Sequence, residues 1–278
     1  MAFCSRNLPR LIILECMSYA RHPDCARALA LGHRLADSAR KIALGYFRNP
    51  IAVEQKADRS PVTVADRAIE TEMRRMIAAE FPAHGIRGEE FAGQDGAEYT
   101  WVLDPIDGTK SFISGYPLFG SLIALTAGVR AVLGIIEAPA MHERWVGIEG
   151  AATVCNGTPV RTSSCASIEQ ARVYSTTADA FGEERLGRYD TYTRRASIRR
   201  FGGDCYLYGL LASGHCDLVI EAAMKPHDFQ ALVPVVEGAG GVISDWNGAP
   251  LDAQSGDSVL AASSEALWAQ AVEALSDN

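Results

Sequence analysis

Apolar positions fall at helical spacing over residues 26–47, where Ala, Leu and Ile are separated by Arg, Asp and Lys. That pattern predicts an amphipathic helix with one face in a core. A second helix is expected to open at Ser60-Pro61-Val62-Thr63-Val64-Ala65-Asp66 and to run to about residue 80. Thr63 can cap it, with Asp66 three residues on, where an acid answers a capping threonine. Pro82-Ala83-His84-Gly85 ends it, and a short strand leads into Gly88-Glu89-Glu90. Apolar and β-branched runs then predict strands at 99–103, 120–127, 131–138 and 144–150, the last pair as a hairpin meander.

Beyond Thr158-Pro159-Val160 the pattern alternates. Strands are expected at 171–175, 198–201, 217–221, 242–245 and 259–262. Helices are expected at 180–186, 206–213, 229–239 and 264–275, with Ser264 as an N-cap and Gly238-Ala239-Gly240-Gly241 as a terminator. A mixed half followed by an alternating half predicts an α+β lobe over 23–157 joined to an α/β lobe over 158–278. Residues 1–22 are expected to form an extension outside the fold, without fixed structure. No repeat, low-complexity segment or long linker separates the lobes, so they should pack as one unit.

The chain has 278 residues, 48% hydrophobic and 22% charged, which is ordinary globular composition. Its net charge is −8, and its densest basic cluster is only Arg194-Arg195 with Arg199-Arg200. Nucleic acid is therefore not an expected partner. The seven cysteines are odd in number and include no CxxC pair, so neither a disulfide framework nor a zinc site is signalled. Reduced thiols in a cytoplasmic protein are the expectation. Arg6 and Arg10 before Leu11-Ile12-Ile13-Leu14 imitate a signal peptide, but Glu15 interrupts the apolar run. No apolar run approaches the length needed to cross a bilayer.

The stretch with most chemistry is Asp104-Pro105-Ile106-Asp107-Gly108-Thr109, directly after the strand at 99–103. Two carboxylates three apart at a strand end put several oxygens on one tight turn, an arrangement that hard cations such as Mg²⁺ favour. An Asp-Gly turn also occurs in plain surface loops. The context decides between them, because Asp66, Glu89-Glu90 and Asp228 likewise sit at the ends of predicted elements.

The set resembles the inositol monophosphatase family of Mg²⁺-dependent phosphatases. The resemblance is carried by Lys56, by Ser60 to Asp66, by Gly88-Glu89-Glu90 and by Trp101 to Phe112. It continues in Pro226-His227-Asp228 with Ala231, running to Glu237-Gly238-Ala239-Gly240-Gly241. It implies a layered αβαβα sandwich, commonly a homodimer, with two to three Mg²⁺ per active site. Glu89, Asp104 and the carbonyl of Ile106 would hold one ion. Asp104, Asp107 and Asp228 would hold a second, and a looser third would lean on Glu89. Thr109 would pair with Asp66 to take a proton from the attacking water. The N–H groups of Gly108 and Thr109 would cradle the phosphate, with Asp228 also facing the substrate. His227 is expected as a wall beside the site, and Glu90 as a solvated neighbour. A non-catalytic regulator that kept the fold is opposed by the presence of the whole set.

Within the family, Gly202-Gly203-Asp204-Cys205-Tyr206-Leu207-Tyr208-Gly209 and the run from Ala212 to Glu221 most resemble the histidinol-phosphate phosphatase branch. The implied reaction is hydrolysis of L-histidinol phosphate, in histidine biosynthesis. Inositol-1-monophosphatase and 3'(2'),5'-bisphosphate nucleotidase are the alternatives with the same metal mechanism. Asp204 and Glu221 would suit the charged groups of an amino alcohol, although Asp204 also stands where a helix cap would. The Arg194–Arg200 cluster reads as solvated surface rather than a second phosphate site.

Overall fold

The computed structural model describes residues 19–55, 61–93 and 97–276. Helix α1 (Cys25–Tyr46) and helix α2 (Val64–Glu80) lie side by side on a seven-stranded sheet. Between them, β1 (Val53–Gln55) and β2 (Pro61–Thr63) form a short antiparallel ribbon. The large sheet runs β3 (Gly85–Gly88), β4 (Tyr99–Asp107), β5 (Gly120–Ala127), β6 (Arg130–Ala138), β7 (Glu143–Ile148), β8 (Val154–Cys155) and β9 (Thr158–Pro159) in chain order. Only its β3–β4 pair is parallel. The short helix α3 (Thr109–Ile113) leaves the end of β4.

The second half builds a five-stranded sheet from β10 (Arg172–Ser175), β11 (Ile198–Phe201), β12 (Leu218–Glu221), β13 (Val242–Ser244) and β14 (Val259–Ala262). Its order is β11-β10-β12-β14-β13, so β14 sits between β12 and β13 and is antiparallel to both. The helices are α4 (Gly182–Thr193), α5 (Tyr206–Ala212), α6 (Pro226–Phe229), α7 (Leu232–Gly238) and α8 (Glu265–Leu275).

Period-two alternation in the central strands explains the layering. Trp101, Leu103, Ile123 and Leu125 point into one core with α1 and α2. Val102, Leu122 and Ala124 point into another with Tyr208, Leu211, Val235 and Val236 of α5 and α7. A third core lies between the second sheet and α4 and α8, around Val173, Tyr189, Leu260 and Leu267. The result is an αβαβα sandwich. Helix α7 presses close to the first sheet because Gly134 and Gly147 lack side chains. A Cβ on Gly147 would stand 2.2 Å from the Pro234 carbonyl oxygen.

The fold begins earlier than expected. Tyr19–Arg21 forms a 3₁₀ turn, and Tyr19 is buried against His22 and Tyr99. The rest of the expected extension, residues 1–18, lies outside the described residues. The expected lobe boundary at 157/158 falls inside the β8–β9 hairpin, so the first sheet extends past it. The expected helix at 229–239 starts later, as α7 from Leu232, after a separate short helix α6 that ends at Phe229, and the one at 180–186 runs instead from Gly182 to Thr193. The glycine terminator is present, with Gly240 at φ +91° closing α7.

Candidate active site

The centre of the site is where β4 stops behaving as a regular strand. Its pairing with β5 shifts register between Asp104 and Asp107. Pro105 contributes no N–H to the ladder there, and its carbonyl instead accepts from Ser121 Oγ at 2.6 Å. Gly108 follows at φ +80°, a left-handed conformation that suits glycine. Helix α3 then starts at Thr109.

Three carboxylates converge at this bulge. Asp104 is buried at 2% exposure, and its Oδ1 has no hydrogen-bond partner. Asp107 Oδ2 accepts the backbone N–H of Cys205 at 2.5 Å. Asp228, in α6, accepts the Lys225 N–H through Oδ2 at 2.7 Å, and His227 Nε2 stands 3.4 Å from its Oδ1. One oxygen from each of the three lies within 4.8 Å of the others. His227 is therefore a neighbour of Asp228, as expected.

Burial, followed by repulsion from Glu89, Asp107, Asp228 and Asp66, pushes Asp104 well above the usual carboxylate range. Burial and then Asp204 and Asp228 do the same to Asp107. Burial raises Asp228 too, against the opposing pull of His227. Three crowded acids, one with an orphaned buried oxygen and only Asp228 flanked by a basic side chain among the described residues, form a donor set that fits a hard divalent cation. The Ile106 carbonyl lies on the same turn.

Glu89 stands outside this close trio, but its charge reaches Asp66, Asp104 and Asp228. It lines a cavity of about 450 Å³ together with Gly108, Thr109, Ser111 and Asp204. The expected pairing of Thr109 with Asp66 is not made. Thr109 Oγ1 donates to the Ile106 carbonyl at 3.1 Å. Asp66 accepts the Thr63 N–H and hydroxyl at 2.8 and 2.5 Å through one oxygen, as half of the expected capping box. Its other oxygen is buried and unpartnered, and burial raises its pKa. Helix capping wins the first oxygen of Asp66 and leaves the second for other work.

A second cavity of about 120 Å³ joins Asp107 and Asp228 to Asp204 and Glu221. Asp204 is not a helix cap. It adopts φ +47° and accepts Ser111 Oγ at 2.7 Å, while the cap position of α5 is Cys205. Gly108 packs on it so closely that a Cβ would lie 2.7 Å from Asp204 Cγ. Glu221 accepts the Thr176 N–H at 2.8 Å and the Tyr208 hydroxyl at 3.2 Å. Burial raises it to about 7. Ser111, Thr176, Tyr208 and the Cys205 N–H were not legible as site groups, because their partners lie far away in sequence.

Arg195 pairs with Glu169 and Arg199 with Asp190, and neither lines these cavities. Lys56 and Ser60 lie outside the described residues. Among the described residues no helix is long and apolar enough to cross a membrane.

The sequence model of the inositol monophosphatase family matches residues 25–277. The chain is 47% identical over 225 residues to "Bifunctional phosphatase IMPL2, chloroplastic" of Arabidopsis thaliana, covering 80% of this chain and 65% of that protein. It is 39% identical over 223 residues to a histidinol-phosphatase of Chlorobaculum parvum, covering 79% and 86%. A solved inositol monophosphatase structure from Zymomonas mobilis superposes with a TM-score of 0.84 at 45% identity, covering 90% of this chain and 98% of that one.

Proposed function

This chain belongs to the inositol monophosphatase family of phosphatases, and we propose that its ester is L-histidinol phosphate, hydrolysed to L-histidinol and phosphate. The observation that carries this reading is the cavity in which Asp204 and Glu221 stand beside Asp107 and Asp228. An ammonium and an imidazole can each find a carboxylate there, and Glu221 is buried, where charge-assisted hydrogen bonds count for more. The likeness to the Chlorobaculum histidinol-phosphatase supports it.

In this reading Glu89, Asp104, Asp107, Asp228 and the Ile106 carbonyl would hold Mg²⁺. When bound, the cation supplies positive charge that neutralises the ester and acidifies the attacking water. Gly108 and Thr109 offer N–H groups at the start of α3 to the phosphate oxygens. Asp66 accepts the water's proton through its unpartnered oxygen, since a threonine hydroxyl is too weak a base alone. Thr109 must rotate off the Ile106 carbonyl before it can relay that proton. Asp204 and Glu221 orient the amino alcohol, and Asp204 also braces the turn through Ser111. The enzyme would act in the cytoplasm as a homodimer, within histidine biosynthesis.

An inositol phosphate is the second reading, favoured by the Zymomonas likeness. Phosphate release from histidinol phosphate, inositol 1-phosphate and adenosine 3',5'-bisphosphate, with and without Mg²⁺, separates the two. Highest kcat/KM on histidinol phosphate supports the proposal. Highest kcat/KM on inositol 1-phosphate transfers the site to the polyol and removes the roles given to Asp204 and Glu221.

A further inference from the structure

Glu70 is a fully buried carboxylate on α2 that the reaction as written does not use. It lies one helical turn after Asp66, and residues four apart share a helix face. Glu70 Oε2 accepts the N–H of Glu90 at 2.7 Å. Its Oε1 accepts the Phe91 N–H at 3.3 Å and Arg74 Nε at 2.7 Å. Arg74 completes the clasp by donating to the Phe91 carbonyl at 3.0 Å, with its guanidinium 5.8 Å from the Phe91 ring. On the other side of Glu89, Gly88 leaves room for the carboxylate, because a Cβ there would lie 1.9 Å from Glu70 Oε1.

Glu89 is thus bracketed by residues that Glu70 touches, Gly88 before it and Glu90 and Phe91 after it. Three backbone groups of a loop are tied to two side chains of one helix. That helix also carries Asp66 in its first turn. A rise of about 1.5 Å per residue therefore fixes the spacing of Asp66 and the Glu89 anchor to about 6 Å along one rigid rod.

We infer that Glu70, braced by Arg74, is a positioning residue that sets where Glu89 stands and so sets the affinity of the Glu89-dependent cation. The inference rests on the reading of Glu89 as a metal ligand. Buried partners that orient a ligand typically change metal affinity by about 10–100-fold when removed. Glu70→Gln keeps the size of the side chain but exchanges an acceptor oxygen for an amide. The clasp then loses one of its accepted N–H groups, while Asp104, Asp107 and Asp228 are untouched.

The test is Mn²⁺ binding to the full chain by calorimetry, without substrate, alongside the Mg²⁺ concentration that half-activates phosphate release. Glu70→Gln should weaken both by at least about tenfold, with kcat at saturating Mg²⁺ changed far less. Arg74→Lys, which leaves Glu70 paired but cannot reach the Phe91 carbonyl as a fork, should shift both in the same direction by less. It also serves if Glu70→Gln does not fold. In a Glu89→Gln background, Glu70→Gln should add no further loss. A fall in Tm with metal affinity unchanged would overturn the inference, as would an equal loss in the Glu89→Gln background. If Glu89→Gln itself binds Mn²⁺ normally, the metal reading of Glu89 fails first.

Discussion

Asp104→Asn should make the metal-free protein more stable while removing its activity. The wild-type trio places oxygens of Asp104, Asp107 and Asp228 within 4.8 Å of one another. At that separation two unit charges repel by about 3.5 kcal/mol for an effective dielectric near 20. The substitution deletes two such pairs, about 7 kcal/mol if all three acids were ionised. Partial protonation of the wild-type cluster already relieves much of this. Against the gain stands a buried amide with imperfect partners, which costs about 1–3 kcal/mol. The balance is a stabilisation of about 1–3 kcal/mol, or a Tm higher by roughly 2–6 °C for a domain of this size. The measurement is thermal melting in EDTA at pH 8, repeated with Mg²⁺, beside phosphate release. The variant should melt higher than wild type in EDTA, and Mg²⁺ should barely move it. Turnover should drop by about a thousandfold, since several kcal/mol of charge stabilisation is lost. A variant that melts lower in EDTA yet keeps the Mg²⁺ response would refute the reasoning. It would mean that hydrogen bonds rather than a cation compensate Asp104.

The same electrostatics fix a pH dependence. Asp66, Asp104, Asp107, Asp228 and Glu221 all have raised folded-state pKa values, so their contribution to stability is present at low pH and lost as pH rises through those values. Metal-free protein should therefore melt higher at pH 6 than at pH 8, and Mg²⁺ should narrow the gap; a Tm that climbs with pH in EDTA contradicts this. Glu221→Gln should reduce kcat/KM for histidinol phosphate at least tenfold more than for an aryl phosphate, and should flatten any rise near pH 7, where the wild-type group titrates. Equal losses on both esters would remove Glu221 from substrate recognition. Asp66→Asn should lower kcat by about a hundredfold with KM within about threefold, and a large KM rise at unchanged kcat would count against proton acceptance. Gly147→Ala should destabilise by about 3 kcal/mol in urea, because its Cβ meets the Pro234 carbonyl, and an unchanged midpoint would show that α7 can shift freely.

What was legible in the sequence was local. The capping box of Thr63 and Asp66 spans four residues, and the carboxylate turn Asp104–Thr109 spans six, so both could be read from adjacent positions. Long amphipathic and apolar runs gave α1, β5, β6 and β7 to within two residues, whereas β4, expected to end at 103, runs on to Asp107 through the carboxylate turn. The elements misjudged depend on distant partners. Strand β1 is exposed along its length and exists only through β2. Helix α4 is poor in apolar residues and is held by burial of Tyr189 and Tyr192. The break between α6 and α7 had a signal that could have been used: Pro234 fits the first turn of a helix starting at Leu232. In the site, the Cys205 bond to Asp107 spans 98 residues and the Ser111 bond to Asp204 spans 93. No spacing rule reaches that far. The direct Thr109 to Asp66 bond was expected from resemblance, and local geometry directs the hydroxyl to Ile106 instead.

The place of β14 has a consequence for how the protein is made. Strands β10, β11 and β12 can pair as soon as they leave the ribosome, since β11, β10 and β12 are neighbours in the sheet. The strand that joins β12 to β13 is next to last among the elements of the described residues, with α8 after it. Until then β12, buried along its whole length in the finished protein, presents an open apolar edge. A stalled or prematurely ended chain would therefore carry Asp104, Asp107 and Asp228 and still be a sticky half-sheet. Only when synthesis has passed β14 is that edge covered and the hazard for aggregation removed.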